Sequence, residues 1–202
     1  MNKLFLLICF FLSSVVVAVS GQDISLPAPV TTGGMPLKDA LSKRQSVRAY
    51  SGKELNMQTL SDLLWAAYGF NRADKRVVPS SQNRQEIDLY VVLKEGIYLY
   101  DAKTNQLRLR VKGDYRKDTG TQDFVADAPL NVLYIANMDK ASNRDAACTD
   151  CGYISQNIYL FCASEGLASV VRGSVGKEKM HQLLQLTEKQ EVLLAQTVGF
   201  AK

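Results

Sequence analysis

The chain has 202 residues, of which 47% are apolar, 22% charged and 8% aromatic, a mixture that excludes wholesale disorder, a collagen repeat and a disulfide-packed miniprotein. Lys and Arg number 24 against 20 Asp and Glu, a formal charge of +4. Spread over this length, that balance gives no reason to expect a nucleic-acid partner, and one folded domain is the natural count.

Lys3 precedes an apolar run from Leu4 to Phe11 that resumes at Val15, Val16 and Val17, with small Ala18 and Ser20 at minus three and minus one of a cleavage point. This pattern predicts a signal peptide over residues 1–20, a periplasmic or otherwise exported protein, and no membrane span after signal cleavage. A retained anchor is the alternative, since the apolar stretch is only a little shorter than a bilayer requires. Cleavage removes Cys9 and leaves Cys148, Cys151 and Cys162, an odd number of thiols. Residues 21–34, with Pro27, Pro29 and the pair Gly33-Gly34, read as an N-terminal arm, and 35–202 as the domain.

Pro36 suits the opening of a short helix with Leu37, Ala40 and Leu41 on one face, ending near Arg44. Asn56 is placed to cap a longer helix whose Leu60, Leu63, Leu64, Ala67 and Tyr68 form an apolar stripe. The period then changes from helical to two: Ile87, Leu89, Val91 and Leu93, then residues 97–100, then Leu107, Leu109 and Val111, separated by turn signals, predict an antiparallel meander. Residues 130–136 read as another strand, 150–165 as a helix closed by Gly166, 177–186 as a shorter helix and 192–198 as a last strand. Helices outside a mainly antiparallel sheet make the fold class α+β. No dinucleotide-binding glycine fingerprint follows a strand.

The densest local chemistry is Lys43-Arg44-Gln45-Ser46-Val47-Arg48, three cations and a hydroxyl where a helix gives way to extended chain. Guanidinium groups make paired, charge-assisted bonds to phosphate and a serine hydroxyl adds a short donor; a solvated surface patch is the bland alternative. A second polar string, Pro79-Ser80-Ser81-Gln82-Asn83-Arg84-Gln85, lies before the first core strand, where functional loops and plain turns both occur. Cys148 and Cys151 have the spacing of an exchange pair, a disulfide or two unpaired thiols. Three cysteines and the single His181 fall short of a four-ligand zinc site, so no metal is expected. His181, on an amphipathic helix, reads as structural or surface, and no nucleophilic triad can be assembled around it.

Together the two polar strings resemble the nitroreductase family of FMN-dependent flavoproteins, particularly the branch related to peptide-azoline dehydrogenases. The resemblance covers residues 37–200 and implies a nitroreductase-like sheet flanked by helices, in a homodimer with a flavin at each interface. It places Arg44 and Ser46 near the phosphate and ribityl groups, with Gln45 between them in the binding string, and Arg48 at the N1 and O2 edge. Pro79, Ser80, Ser81 and Asn83 match the loop beside the flavin and the partner, and the backbone of Val171, Arg172 and Gly173 matches a segment near N4 and N5. Where some bacterial members carry a carboxylate this chain has Arg172, a cation that would stabilise an anionic reduced flavin or meet an acidic substrate. Lys202 either replaces a basic phosphate contact found further along in longer relatives or is frayed. The implied activity is FMN-dependent reduction of a small nitroaromatic, quinone-like or other conjugated acceptor by an unnamed electron donor, with the flavin rather than a catalytic side chain carrying the chemistry. Alternatives are a flavin-binding redox-partner protein without turnover, a dehydrogenase of a peptide-like substrate, or a thiol exchanger using Cys148 and Cys151.

Overall fold

A computed structural model describes residues 22–202; the segment read as an export signal lies outside the described residues. In chain order come β1 (Ile24–Ser25), α1 (Leu37–Lys43), α2 (Met57–Tyr68), a small hairpin of β2 (Phe70–Arg72) and β3 (Lys75–Arg76), then β4 (Ile87–Val92), β5 (Gly96–Asp101), β6 (Gln106–Lys112), α3 (Phe124–Asp127), β7 (Leu130–Asn137), α4 (Arg144–Glu165), β8 (Ala168–Arg172), α5 (Lys177–Leu183) and β9 (Gln190–Gly199). Seven strands form one sheet in the order β1-β6-β5-β4-β7-β9-β8, every neighbouring pair antiparallel. The α+β class read from the sequence, a mainly antiparallel central sheet flanked by helices, is the observed one.

Alternation sorts the strands onto two faces. On one, Leu89, Val91, Tyr98, Leu107, Val132 and Tyr134 pack with the stripes of α2 and α4; on the other, Tyr90, Leu133, Ile135 and Val192 pack with Met180 of α5. Helices on both faces explain why β7 is buried through Leu130–Ala136 and reads as a nearly continuous apolar run.

Helix α2 starts where expected: the Asn56 side chain accepts the Thr59 amide at 2.8 Å, a cap that contributes about 1 kcal/mol. Helix α4 begins at Arg144 rather than near residue 150, because Asn143 caps it through the Ala146 amide at 2.8 Å. Its buried Ala147, Cys151, Ile154, Ile158 and Cys162 recur every three or four residues, and Gly166, at φ +68°, ends it in the left-handed conformation that glycine adopts freely. Helix α5 stops at Leu183, three residues short of the expected end.

Two segments depart more from the sequence reading. Residues 168–172, given no strand in the sequence reading, form edge strand β8 against β9. The arm lies on its own chain: β1 pairs with β6, Leu26 is buried, the Ser61 hydroxyl donates to Pro27 O at 2.6 Å and the Val30 amide donates to Asp62 at 2.7 Å.

Candidate functional site

Edge strand β8 organises the site, because an open edge offers backbone groups that something must satisfy. Beyond α1 the chain runs along it, the Val47 amide donating to Ser169 O at 3.0 Å. The C-terminus closes the same corner: Ser51 N donates to Phe200 O at 3.0 Å, Lys202 N to Ala49 O at 3.2 Å, and Tyr50 bridges to Ala201. Lys202 is therefore held in place through its backbone.

Tyr159, on α4, joins these segments. Its hydroxyl accepts the Val171 amide at 2.9 Å and shares a 2.9 Å hydrogen bond with Ser46 Oγ, while the Arg44 guanidinium lies over its ring, 5.3 Å from the centroid. Beside it opens a cleft of about 480 Å³ lined by Lys43, Arg44, Gln45, Tyr159 and the small residues Ala163 and Gly166. Two cations, an amide and a hydroxyl at one end of a cleft floored by small side chains suit a flat molecule bearing a phosphate. Tyr159 was not singled out from the sequence; its position four residues after Ser155, beside the Ile154, Ile158, Cys162 stripe, gave only a packing signal.

Arg44, Gln45, Ser46 and Val171 are thus brought together. Arg48 is exposed just beyond Val47 and does not line the cleft. Gly173 lies past the end of β8, where an added Cβ would meet nothing within 4 Å. The Val171 amide is already committed to Tyr159.

Arg172 does something different from the cationic role its resemblance suggested. Strand parity sends it inward beside Val170 and Ala168, only 5% exposed. Its guanidinium donates to Thr197 Oγ1 at 3.0 Å, to Thr119 O at 3.1 Å and Oγ1 at 3.2 Å, to Ser174 O at 3.2 Å and to Asn131 Oδ1 at 3.1 Å. All these acceptors are neutral, and burial pushes the group down to about 10. It remains charged at neutral pH, but it faces the core and presents no free cation to the cleft. Gly120 makes room for it: a Cβ there would stand 2.1 Å from Arg172 Nη1.

The string 79–85 is elsewhere. Ser81 N donates to Asp150 Oδ2 at 2.9 Å, near the start of α4, whereas Tyr159 lies nine residues further on, about 14 Å along the axis. Within one chain this loop does not line the cleft. It is backbone-strained: Gln82, Asn83 and Gln85 have φ of 52°, 56° and 50°, a conformation rare for residues other than glycine and concentrated at functional sites.

Cys148 and Cys151 sit one turn apart inside α4, and with Cys162 they are free thiols, only Cys148 exposed. Burial, then Cys148, Asp150 and Glu86, push the Cys151 thiol well above its ordinary range, and burial takes Cys162 up to about 12. A thiolate is the reactive form, so Ellman's reagent is expected to titrate Cys148 alone among the described cysteines of the folded chain, the other two reacting only on denaturation. Fast labelling of all three in the native state would contradict the packing of α4.

A sheet of this topology with a cation-lined cleft at its β8 edge defines a class, and comparison places the chain within it. The model of the nitroreductase family matches residues 41–200, and the chain belongs to that family. A protein of Methanocaldococcus jannaschii named as a nitroreductase is 27% identical over 180 residues, 81% of this chain and 90% of its own. A solved structure from Ralstonia eutropha, likewise named as a nitroreductase, is 38% identical, with a TM-score of 0.85 over 92% of each chain. The microcin synthetase complex of Escherichia coli shares the fold, with a TM-score of 0.68 at 16% identity over 87% of this chain and 76% of that one. FMN is the cofactor typical of the family.

Proposed function

We propose that the chain is an exported, homodimeric FMN-dependent oxidoreductase that reduces a small nitroaromatic, quinone-like or other conjugated acceptor. The observation that carries this reading is the cleft at the edge of β8 lined by Lys43, Arg44, Gln45 and Tyr159, whose hydroxyl and ring also meet Ser46 and Arg44. Its donor set fits the cofactor: Arg44 and Lys43 meet a phosphate dianion, Ser46 adds a hydroxyl donor, and Ala163, Gly166 and Ala168 leave room for a planar group. When bound, FMN supplies the redox chemistry, accepting a hydride equivalent and passing electrons on singly or in pairs. The residues bind, orient and exclude water, so no side-chain nucleophile is required.

The same geometry supports the dimer in this reading. The loop carrying Pro79, Ser80, Ser81 and Asn83 lies away from its own chain's cleft, and a second copy would bring such a loop to it. Leu37, Leu41 and Tyr153 are exposed apolar side chains on α1 and α4, two helices in contact, and they offer a face for that copy.

Purified protein is expected to be yellow and to release one FMN per chain on denaturation. After anaerobic reduction with dithionite, it should pass electrons to a quinone or nitroaromatic at least tenfold faster than free FMN at equal concentration. Equal rates would leave a flavin-binding protein without turnover, and a colourless protein that fails to take up FMN would end the flavin reading.

A further inference from the structure

Glu86 stands between the strained loop and β4, and the cleft chemistry makes no use of it. It is 0% exposed, and no donor stands in hydrogen-bonding geometry with either carboxyl oxygen. The side chain bearing most strongly on it is the carboxyl of Asp150, itself 4% exposed and committed through Oδ2 to the Ser81 amide. Two neighbouring carboxyl groups away from water resist double ionisation, and their interaction is attractive only when one holds a proton.

We propose that Glu86 and Asp150 share one proton, and that this proton holds the 80–85 loop in the shape that leaves Gln82, Asn83 and Gln85 left-handed. The inference rests on the reading above in one respect, that this loop borders the cofactor.

The charged and titratable surroundings determine where the proton resides. Asp150 and Cys151 face Glu86 from α4, Tyr68 from α2 and Arg84 from the loop itself. Tyr68 contributes a buried hydroxyl with no partner. Arg84 is a cation bearing on Glu86, and its guanidinium is engaged with Gln82 at 3.1 and 2.8 Å and with Lys140 O at 3.1 Å. Burial first and the Asp150 carboxyl second raise Glu86 to about 7, outweighing its own amide and Arg84, which lower it. Glu86 therefore carries the proton and donates it to Asp150, which is left free to accept the Ser81 amide.

The sign follows from a raised carboxyl. The protonated pair and its grip on the loop are fully present below the ordinary value of 4.5 and are lost as pH rises through about 7. Above that, two anions face each other behind Ser81. The loop's other side-chain ties to the rest of the chain, Ser81 Oγ to Ser142, Asn83 and Gln85 to Asp74 O and Arg84 to Lys140 O, lie at the surface, and with the internal Gln85 N to Ser80 Oγ bond they then hold three left-handed side-chain-bearing residues less firmly.

Amide hydrogen exchange of the purified full chain without added cofactor, corrected for the intrinsic pH dependence, tests the pair. Exchange over 80–85 is expected to accelerate at least tenfold between pH 5.5 and 8.5. Glu86→Gln should abolish the acceleration, since its amide donates to Asp150 at every pH. Asp150→Asn should do the same from the other side, donating to ionised Glu86 while still accepting from Ser81. Wild-type protection that does not change with pH, or the same acceleration in both variants, would overturn the shared proton. A second arm measures the Kd for FMN over the same range. Affinity that weakens with the loop supports the full scheme, whereas a pH switch in exchange with constant affinity supports the proton pair and refutes the cofactor-lining reading of the loop.

Discussion

Replacing Arg172 by alanine is expected to cost about 2–4 kcal/mol of folding stability, read as a lower midpoint in urea with an unchanged slope. The guanidinium ties four parts of the chain: β9 through Thr197, β7 through Asn131, the segment before α3 through Thr119, and the turn after β8 through Ser174. Asn131 Oδ1 and Thr197 keep each other, with a 2.7 Å hydrogen bond between them, and Ser174 O is near enough to the surface to find water. Thr119 O is the acceptor left stranded, at a residue with no exposure, and the vacated volume adds a cavity cost. Loss of the guanidinium's own desolvation penalty offsets part of this, which keeps the figure below that for a severed buried ion pair. A cation aimed at the cleft predicts the opposite result, unchanged stability and altered cofactor behaviour. With the charge turned inward, FMN affinity of the folded variant should stay within threefold of wild type. Gly120→Ala probes the same strut from outside, since its Cβ would occupy space held by Arg172 Nη1, and it should destabilise in the same direction.

Arg172 also shows what could and could not be read along the chain. Where local chemistry decides, the sequence was sufficient: Asn56 caps α2, the leucines at 60, 63 and 64 form its buried stripe, and period-two runs become β4, β5 and β6. β8 was not legible, because Ala168–Arg172 is five residues between two glycines and becomes a strand only through pairing with β9 some twenty-five residues later. Once it is a strand, parity puts Arg172 on the side of Val170, and the open edge presents the Val171 amide to Tyr159. The site shows the same division. The cluster 43–48 announces itself by charge, but its connection to Tyr159 depends on how α4 packs across the sheet. Glu86 offered a fainter signal, an acid immediately before the apolar run of β4, and nothing local indicated that Asp150, sixty-four residues away, would cover it.

Substituting Arg44 and Ser46 together by alanine is expected to weaken FMN binding at least 100-fold while leaving the fold in place. At about 1.4 kcal/mol per tenfold, that is roughly 2.8 kcal/mol. A lost charge-assisted bond from Arg44 contributes about 1.5–3 kcal/mol and a neutral bond from Ser46 about 0.5–1.5, so the two suffice without invoking other contacts. Stability should change little, because Ser46 is exposed and Arg44 half-buried, and their side-chain ties are one hydrogen bond and one ring contact to Tyr159. Far-UV circular dichroism should be superimposable on wild type, with the melting temperature within about 4 °C, the shift that 1 kcal/mol produces in a domain of this size. Tyr159→Phe separates binding from positioning. It keeps the ring beneath Arg44 and removes only the hydroxyl that receives Val171 N and meets Ser46, so its affinity loss should be nearer tenfold, with a larger fall in melting temperature than the double variant shows. If the double variant binds FMN as wild type does, while its fold is intact, the cleft beside β8 is not the phosphate end of the site.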